Sequence, residues 1–249
     1  MPYKKLKKLS TSSTKGKETP FTLGDFEKGL MLAGLLRPNS IQELQEREQV
    51  EKYESENASI AKPVYFKRVV LAAEIVAKLH TEPSLGKVKF QKLVFLCEHV
   101  AGMELTGRYT KQAAGPFDNK FMHSVGKEFK KNNWFSIEQT FTDNYTRYKF
   151  LPMENMKGYK HYYDNYFKDI DDKIQYIIEL FRKQKTDQTE LAATVFACTL
   201  ELSAQQSSIN KETLLELFYD WSEGKKRFTP TDVLASYDWL QKVGIIEKA

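Results

Sequence analysis

The sequence predicts a mainly α protein with a small β-hairpin, an α+β helical bundle that contains a winged-helix-like helix-helix-helix-hairpin stretch. Two observations carry that reading. Apolar residues recur every three or four positions through most of the 249-residue chain, and the period drops to two only between Trp134 and Leu151. A third supports it: 41% hydrophobic and 29% charged residues suit a core that needs no disulfide staples. Only Cys97 and Cys198 are present, which excludes a disulfide framework and makes a reduced, cytoplasmic setting the expectation. No run approaches the ~20 apolar residues that a membrane span needs.

The chain opens with residues 1–20, expected to be a disordered basic tail. Lys4, Lys5, Lys7, Lys8, Lys15 and Lys17 stand there with no acid before Glu18, so residues 1–17 carry +6. The whole chain carries +5, which leaves residues 18–249 with 32 basic and 33 acidic side chains. On that count the high pI is a property of the tail. Residues 21–60 read as a helical extension. Leu23, Phe26, Leu30, Ala33 and Leu36 form one stripe, and a second helix starts at Ser40 with Glu43 completing a capping box.

Residues 61–249 read as a single, mostly helical domain. YFKRVVLAAEIVAKLH presents Val69, Ala72, Ala73, Val76 and Leu79 on one face, and KVKFQKLVFLCEHVA repeats the pattern from Phe90 to Ala101. QAAGPFDNKF holds a Gly115-Pro116 turn signal, after which Asp118 caps a helix to Lys131. WFSIEQTF and TRYKFL alternate, and they form the predicted hairpin around TDNY. One helix is predicted from Tyr159 to Lys185. An almost uncharged one from Thr189 to Gln205 is expected to be the most buried element. Two shorter helices follow, Lys211–Trp221 and Pro230–Val243, the last between Thr229-Pro230 and Gly244.

The expected chemistry is non-catalytic, with no cofactor and no metal. His80, His99, His123 and His161 are scattered, no paired Cys-x-x-Cys occurs, and Cys97 and His99 point to different sides of one helix. There is no phosphate loop and no nucleophile elbow. Asp118, Glu128 and Lys130 imitate the acidic pair and lysine of metal-dependent nucleases. Ten helical residues would separate the two carboxylates by ~15 Å, too far to share an ion. Asp169, Asp171 and Asp172 read as a solvated helix face. If the winged-helix reading holds, Asn119, Lys120, His123, Lys127, Lys130 and Lys131 would contact DNA from the third helix, with Arg147 and Lys149 on the wing.

LGKVKFQKLVFLCEHVAGMEL, QAAGPFD, the Trp134-Phe135 pair after a basic helix, TELAATVFACTLEL and DWSEGKKRFT, in that order, resemble a domain associated with type I restriction-modification specificity subunits. They are also distantly similar to Panacea antitoxin domains, through Lys89, Phe90, Gln91, Lys92 and Leu93 and the turn Gly115, Pro116, Phe117. The resemblance runs from about Tyr65 to Ile246. It implies bacterial phage defence by contact and not catalysis, with a restriction-modification subunit or a toxin as protein partner. The chain lacks room for the two target-recognition domains of a true specificity subunit. The expected contact surface is an exposed rim at Lys87, Lys89, Arg108, Lys111, Gln112, Gly115, Pro116 and Asp118. DNA binding is the alternative, and no membrane partner is expected.

Overall fold

The element order is α1 (Lys62–Leu79), α2 (Lys87–Val100), β1 (Thr110–Gln112), β2 (Gly115–Phe117), α3 (Asn119–Lys131), β3 (Phe135–Phe141), β4 (Thr146–Pro152), α4 (Lys160–Phe167), α5 (Asp171–Arg182), α6 (Thr186–Ala204), α7 (Lys211–Asp220) and α8 (Pro230–Lys242). The computed structural model describes residues 62–103, 105, 108–141, 146–206 and 209–246. All of these fall within one compact unit, Ala58–Ala249. The expected basic tail and helical extension lie outside the described residues. Mostly helical, with two antiparallel strand pairs, the described chain has the predicted class. Among the described residues no helix is long and apolar enough to cross a membrane.

Helix α1 is more than amphipathic. Every residue from Arg68 to Val76 is buried, because α2, α3, α4 and α5 surround it. Helix α2 is buried without a break from Lys89 to Glu98, between α1, α5, α6 and β2. Ten of its fourteen residues are buried against eleven of nineteen in α6, so the uncharged helix is not the most enclosed one. The difference lies in Lys89, Lys92 and Glu98, charged residues that composition places outside and that side-chain partners hold inside.

Helix α3 starts where expected, with Asp118 as N-cap accepting a hydrogen bond from Phe121 N at 3.0 Å. Phe121, Val125 and Phe129 face the core. The predicted hairpin forms in a register that pairs Phe135 with Pro152 and Phe141 with Thr146. Phe135, Ile137 and Phe150 occupy alternate positions on one of its faces. Phe150 packs on Phe90 and Phe135 on Phe129, with ring centroids 4.8 and 5.7 Å apart. The single helix expected from Tyr159 to Lys185 is instead two. A 3-10 turn at Lys168–Ile170 separates α4 from α5, and Tyr163 Oη donates across it to Asp171 Oδ1 at 2.7 Å.

The second strand pair is new relative to the sequence reading. β1 and β2 pair Thr110 with Phe117 and Gln112 with Gly115. Three residues per strand are too few to show a period. Gly115 is the residue that lets this hairpin reach α6: its φ is +99°, and a Cβ there would lie 2.5 Å from Thr194 Oγ1. Gly115→Ala is expected to lower unfolding stability by about 1–3 kcal/mol, through a strained φ plus a clash, measured by urea denaturation.

Candidate functional site

The Gly-Pro hairpin sits over a group of buried charges. Arg68 of α1 donates from Nε to Glu98 Oε1 and from Nη1 to Asp118 Oδ2, both at 2.7 Å. Its guanidinium lies over the Phe121 ring, 4.2 Å from the centroid. Tyr109 Oη donates a short hydrogen bond to Glu98, and Arg108 Nε lies 3.6 Å from Asp118 Oδ2. Two guanidinium groups therefore face two carboxylates in a low-dielectric interior. Burial pushes the Glu98 carboxyl above its ordinary range, and Arg68 opposes it. Burial by itself would lower Arg68, but Glu98, Tyr109 and Asp118 outweigh it, so the guanidinium is held charged more firmly than usual.

Two lysines of α2 also turn inward. Lys89 Nζ donates to Ser84 Oγ, Arg182 O and Gln184 O, closing the exposed carbonyls at the end of α5. Lys92 Nζ donates to Pro116 O at 2.6 Å. Burial pushes Lys92 down to about 7, helped by the charge of Lys225. Lys225 in turn donates to Glu190 Oε1 at 2.8 Å and Thr194 Oγ1 at 3.0 Å. The hairpin's outer carbonyls are also claimed. Trp221 Nε1 donates to Gln112 O at 3.0 Å and Ser222 Oγ to Ala113 O at 3.3 Å.

Between this hairpin and α6 lies an open cleft of about 190 Å³. Phe95, Tyr109, Pro116, Ala197, Leu200 and Trp221 supply its apolar walls. At its rim Lys111 Nζ pairs with Glu201 Oε2 at 3.0 Å and lies 5.2 Å from the centre of the Trp221 ring. Pockets that take drug-sized molecules run to roughly 300–1,000 Å³, so this one has the size of a single inserted side chain.

The eight residues expected to form an exposed rim divide. Lys111 is exposed, while Lys87 and Gln112 are half-buried. Lys87 lies over the rings of Phe117 and Tyr148, 5.7 and 5.5 Å from their centroids. Lys89, Arg108, Gly115, Pro116 and Asp118 are buried, which corrects the expectation of exposure. The physical reason is pairing: each charge among them has a partner in the interior. What sequence reasoning missed is the set of partners, namely Arg68, Glu98, Tyr109, Glu190, Lys225 and Trp221. A signal was present for two of them, since Arg68 and Glu98 are charges set within otherwise apolar helix runs.

The nuclease-like residues do not converge. Val125–Lys130 is helical, Asp118 is held by Arg68, and Glu128 lies 3.7 Å from Lys131. Among the described residues no group of three or more His, Cys, Asp or Glu is placed to hold a metal ion. Both thiols are buried, and burial pushes Cys198 up to about 12 and Cys97 further, so both stay protonated at neutral pH. For the DNA-contact residues, His123, Lys127, Lys130 and Lys131 are exposed and Asn119 and Lys120 half-buried on α3. Arg147 and Lys149 are exposed too, but they pair with Thr140 and Glu138, on the hairpin face opposite to Ile137 and Phe150. They do not share a face with α3. No protein-family model matches this chain, and no curated protein matches it.

Arg68→Met is expected to cost about 3–5 kcal/mol in denaturant titration, because it leaves Glu98 and Asp118 buried without their shared cation. Lys92 gives a pH signature. Folded, it releases its proton near pH 7; unfolded, near its ordinary 10.5. Between those values the unfolded chain binds more protons, so stability gains from Lys92 as pH rises, by at most about 1.4 kcal/mol per pH unit. From pH 7 to 10 the parent should gain more stability than Lys92→Met, which keeps only the share of the slope that the other buried lysines, Lys89 and Lys225, supply.

Proposed function

We propose that this chain is a non-catalytic protein-interaction or accessory module, of the restriction-modification-associated or antitoxin-like kind that its motifs resemble, and that it grips its protein partner through the cleft between the β1–β2 hairpin and α6. The observation that carries this reading is the cleft itself. It is mostly apolar, lined in part by the aromatic residues Phe95, Tyr109 and Trp221, and sized for one side chain, which is how a protein surface receives an anchoring residue. Its walls are also rigid before any partner arrives. Lys92, Trp221 and Ser222 fix the hairpin through its backbone carbonyls, so little ordering entropy remains to be lost on binding. The Lys111–Glu201 pair gives the rim one charge of each sign, a polar border around an apolar centre.

On this reading a partner inserts a Leu-, Met- or Phe-like side chain against Trp221 and Leu200. Ala197→Trp would fill the cleft from its half-buried wall without replacing a core residue. Affinity co-purification from the native host with the full chain should recover a restriction-modification subunit or a toxin. The Ala197→Trp chain is expected to bind it at least tenfold more weakly at an unchanged melting temperature. Equal recovery of the same partner by both chains would sink the proposal.

A further inference from the structure

We infer that the outer face of α3, together with Phe141 at the end of β3, is a contact surface for nucleic acid. The inference is independent of the cleft. Lys120, His123, Lys127 and Lys130 recur three or four residues apart and Lys131 stands four from Lys127, so the five occupy one stripe, roughly 100° wide, opposite the buried Phe121, Val125 and Phe129. Lys120 and Lys131 are about 16 Å apart along the axis, a length that matches about five phosphates of one strand at ~3.4 Å each. Glu128 is the one acid on α3, and it lies beside Lys131. Asp118, at the head of the helix, is buried with its carboxylate on Arg68 and Phe121 N, so its charge does not oppose the stripe.

The charge count supports this once the chain is divided where α1 begins. Residues 62–249 hold 28 basic and 24 acidic side chains, and residues 18–61 hold 4 and 9. The near-neutral balance of residues 18–249 is thus an acidic stretch set against a basic one, and residues 62–249 carry a positive excess.

Phe141 adds the second, separate observation. At 61% it is the most exposed large hydrophobic side chain among the described residues. The register puts it on the hairpin face of Phe135 and Ile137, which is the face that packs on α3. Phe135 meets Phe129, and Gly126 leaves room for Ile137, whose Cδ1 would lie 3.0 Å from a Cβ at that position. β3 therefore runs back along α3, and Phe141 lies at its far end on the same α3-facing side of the hairpin. Cations along a backbone track with an aromatic ring at its end suit phosphates plus a base to stack on. A lipid surface would need an apolar helix face turned outward, and the apolar face of α3 is in the core.

The test is fluorescence anisotropy with labelled 24-nucleotide DNA, single-stranded and duplex, at 50 and 200 mM salt. It uses the full chain carrying K4Q/K5Q/K7Q/K8Q/K15Q/K17Q, so that the N-terminal lysines do not supply the signal. Binding is expected at 50 mM. K127Q/K130Q/K131Q should weaken it at least tenfold and flatten the slope of log K against log salt by about 2–3. Phe141→Ala should weaken single-strand binding about fivefold or more. Thermal melts should not change, since these side chains are exposed. No binding at 50 mM, binding untouched by the triple substitution, or binding to anionic lipid vesicles but to neither DNA would each overturn the inference. Unchanged single-strand affinity in Phe141→Ala would remove that residue from the surface.

Discussion

The guanidinium of Arg68 is the point on which the arrangement turns. It is buried in the middle of α1 and binds Glu98 of α2 with one edge and Asp118 with another nitrogen. A planar group with fixed donor directions sets angles as well as distances. Glu98 is thereby fixed for Tyr109, which stands just before β1, and Asp118 is fixed as the cap that begins α3. One side chain therefore defines where the segment between α2 and α3 enters and leaves. A buried ion pair of this kind contributes little net stability compared with an apolar filling of the same shape, because desolvation offsets most of its attraction. Its consequence here is geometric.

The buried lysines extend the same logic to backbone. Lys92 meets Pro116 O, and Lys89 meets Arg182 O at the end of α5 and Gln184 O just beyond it, so two amino groups of one helix satisfy acceptors that loops and helix ends leave open. The Lys89-Phe90-Gln91-Lys92-Leu93 motif thus sets core hydrophobes beside lysine amino groups that hold neighbouring segments in place. Gly115 completes the arrangement by letting the hairpin close on Thr194, beside the ammonium of Lys225. The cleft next to Trp221 is the space left between elements so fixed.

Much of this was legible in the sequence, and the remainder failed for identifiable reasons. Helix periodicity located α1, α2, α3 and α6 because their apolar residues recur at the spacing of a turn. The Trp134–Leu151 hairpin showed itself by its change of period, and Thr229-Pro230 marked the start of α8. The β1–β2 pair was hidden, since Thr110–Gln112 and Gly115–Phe117 are too short to show alternation and are held by side chains from residues far along the chain. Burial of Lys89, Lys92 and Asp118 was hidden as well. A charged residue reads as exposed unless its partners are known, and the main ones, Arg182, Gln184, Pro116 and Arg68, lie 24 to 95 residues away. The break between α4 and α5 depends on hydrogen bonds from Tyr163 and Gln175 to Asp171, and hydrophobic spacing alone carries no trace of them.

The cleft and the basic stripe are joined mechanically through the same ionic group. Tyr109 forms a wall of the cleft and bonds Glu98, while Asp118 bonds Arg68 and opens the helix that bears the lysines. Only Arg68 and its two carboxylates separate these contacts, so neither surface can shift far without disturbing the buried charges that Arg68 pairs. In a low-dielectric interior such a displacement costs several kcal/mol. The two surfaces are therefore held as one rigid arrangement. A partner seated in the cleft and a nucleic acid on α3 would meet the chain on fixed geometry, and their simultaneous binding is decided by whether the two ligands collide.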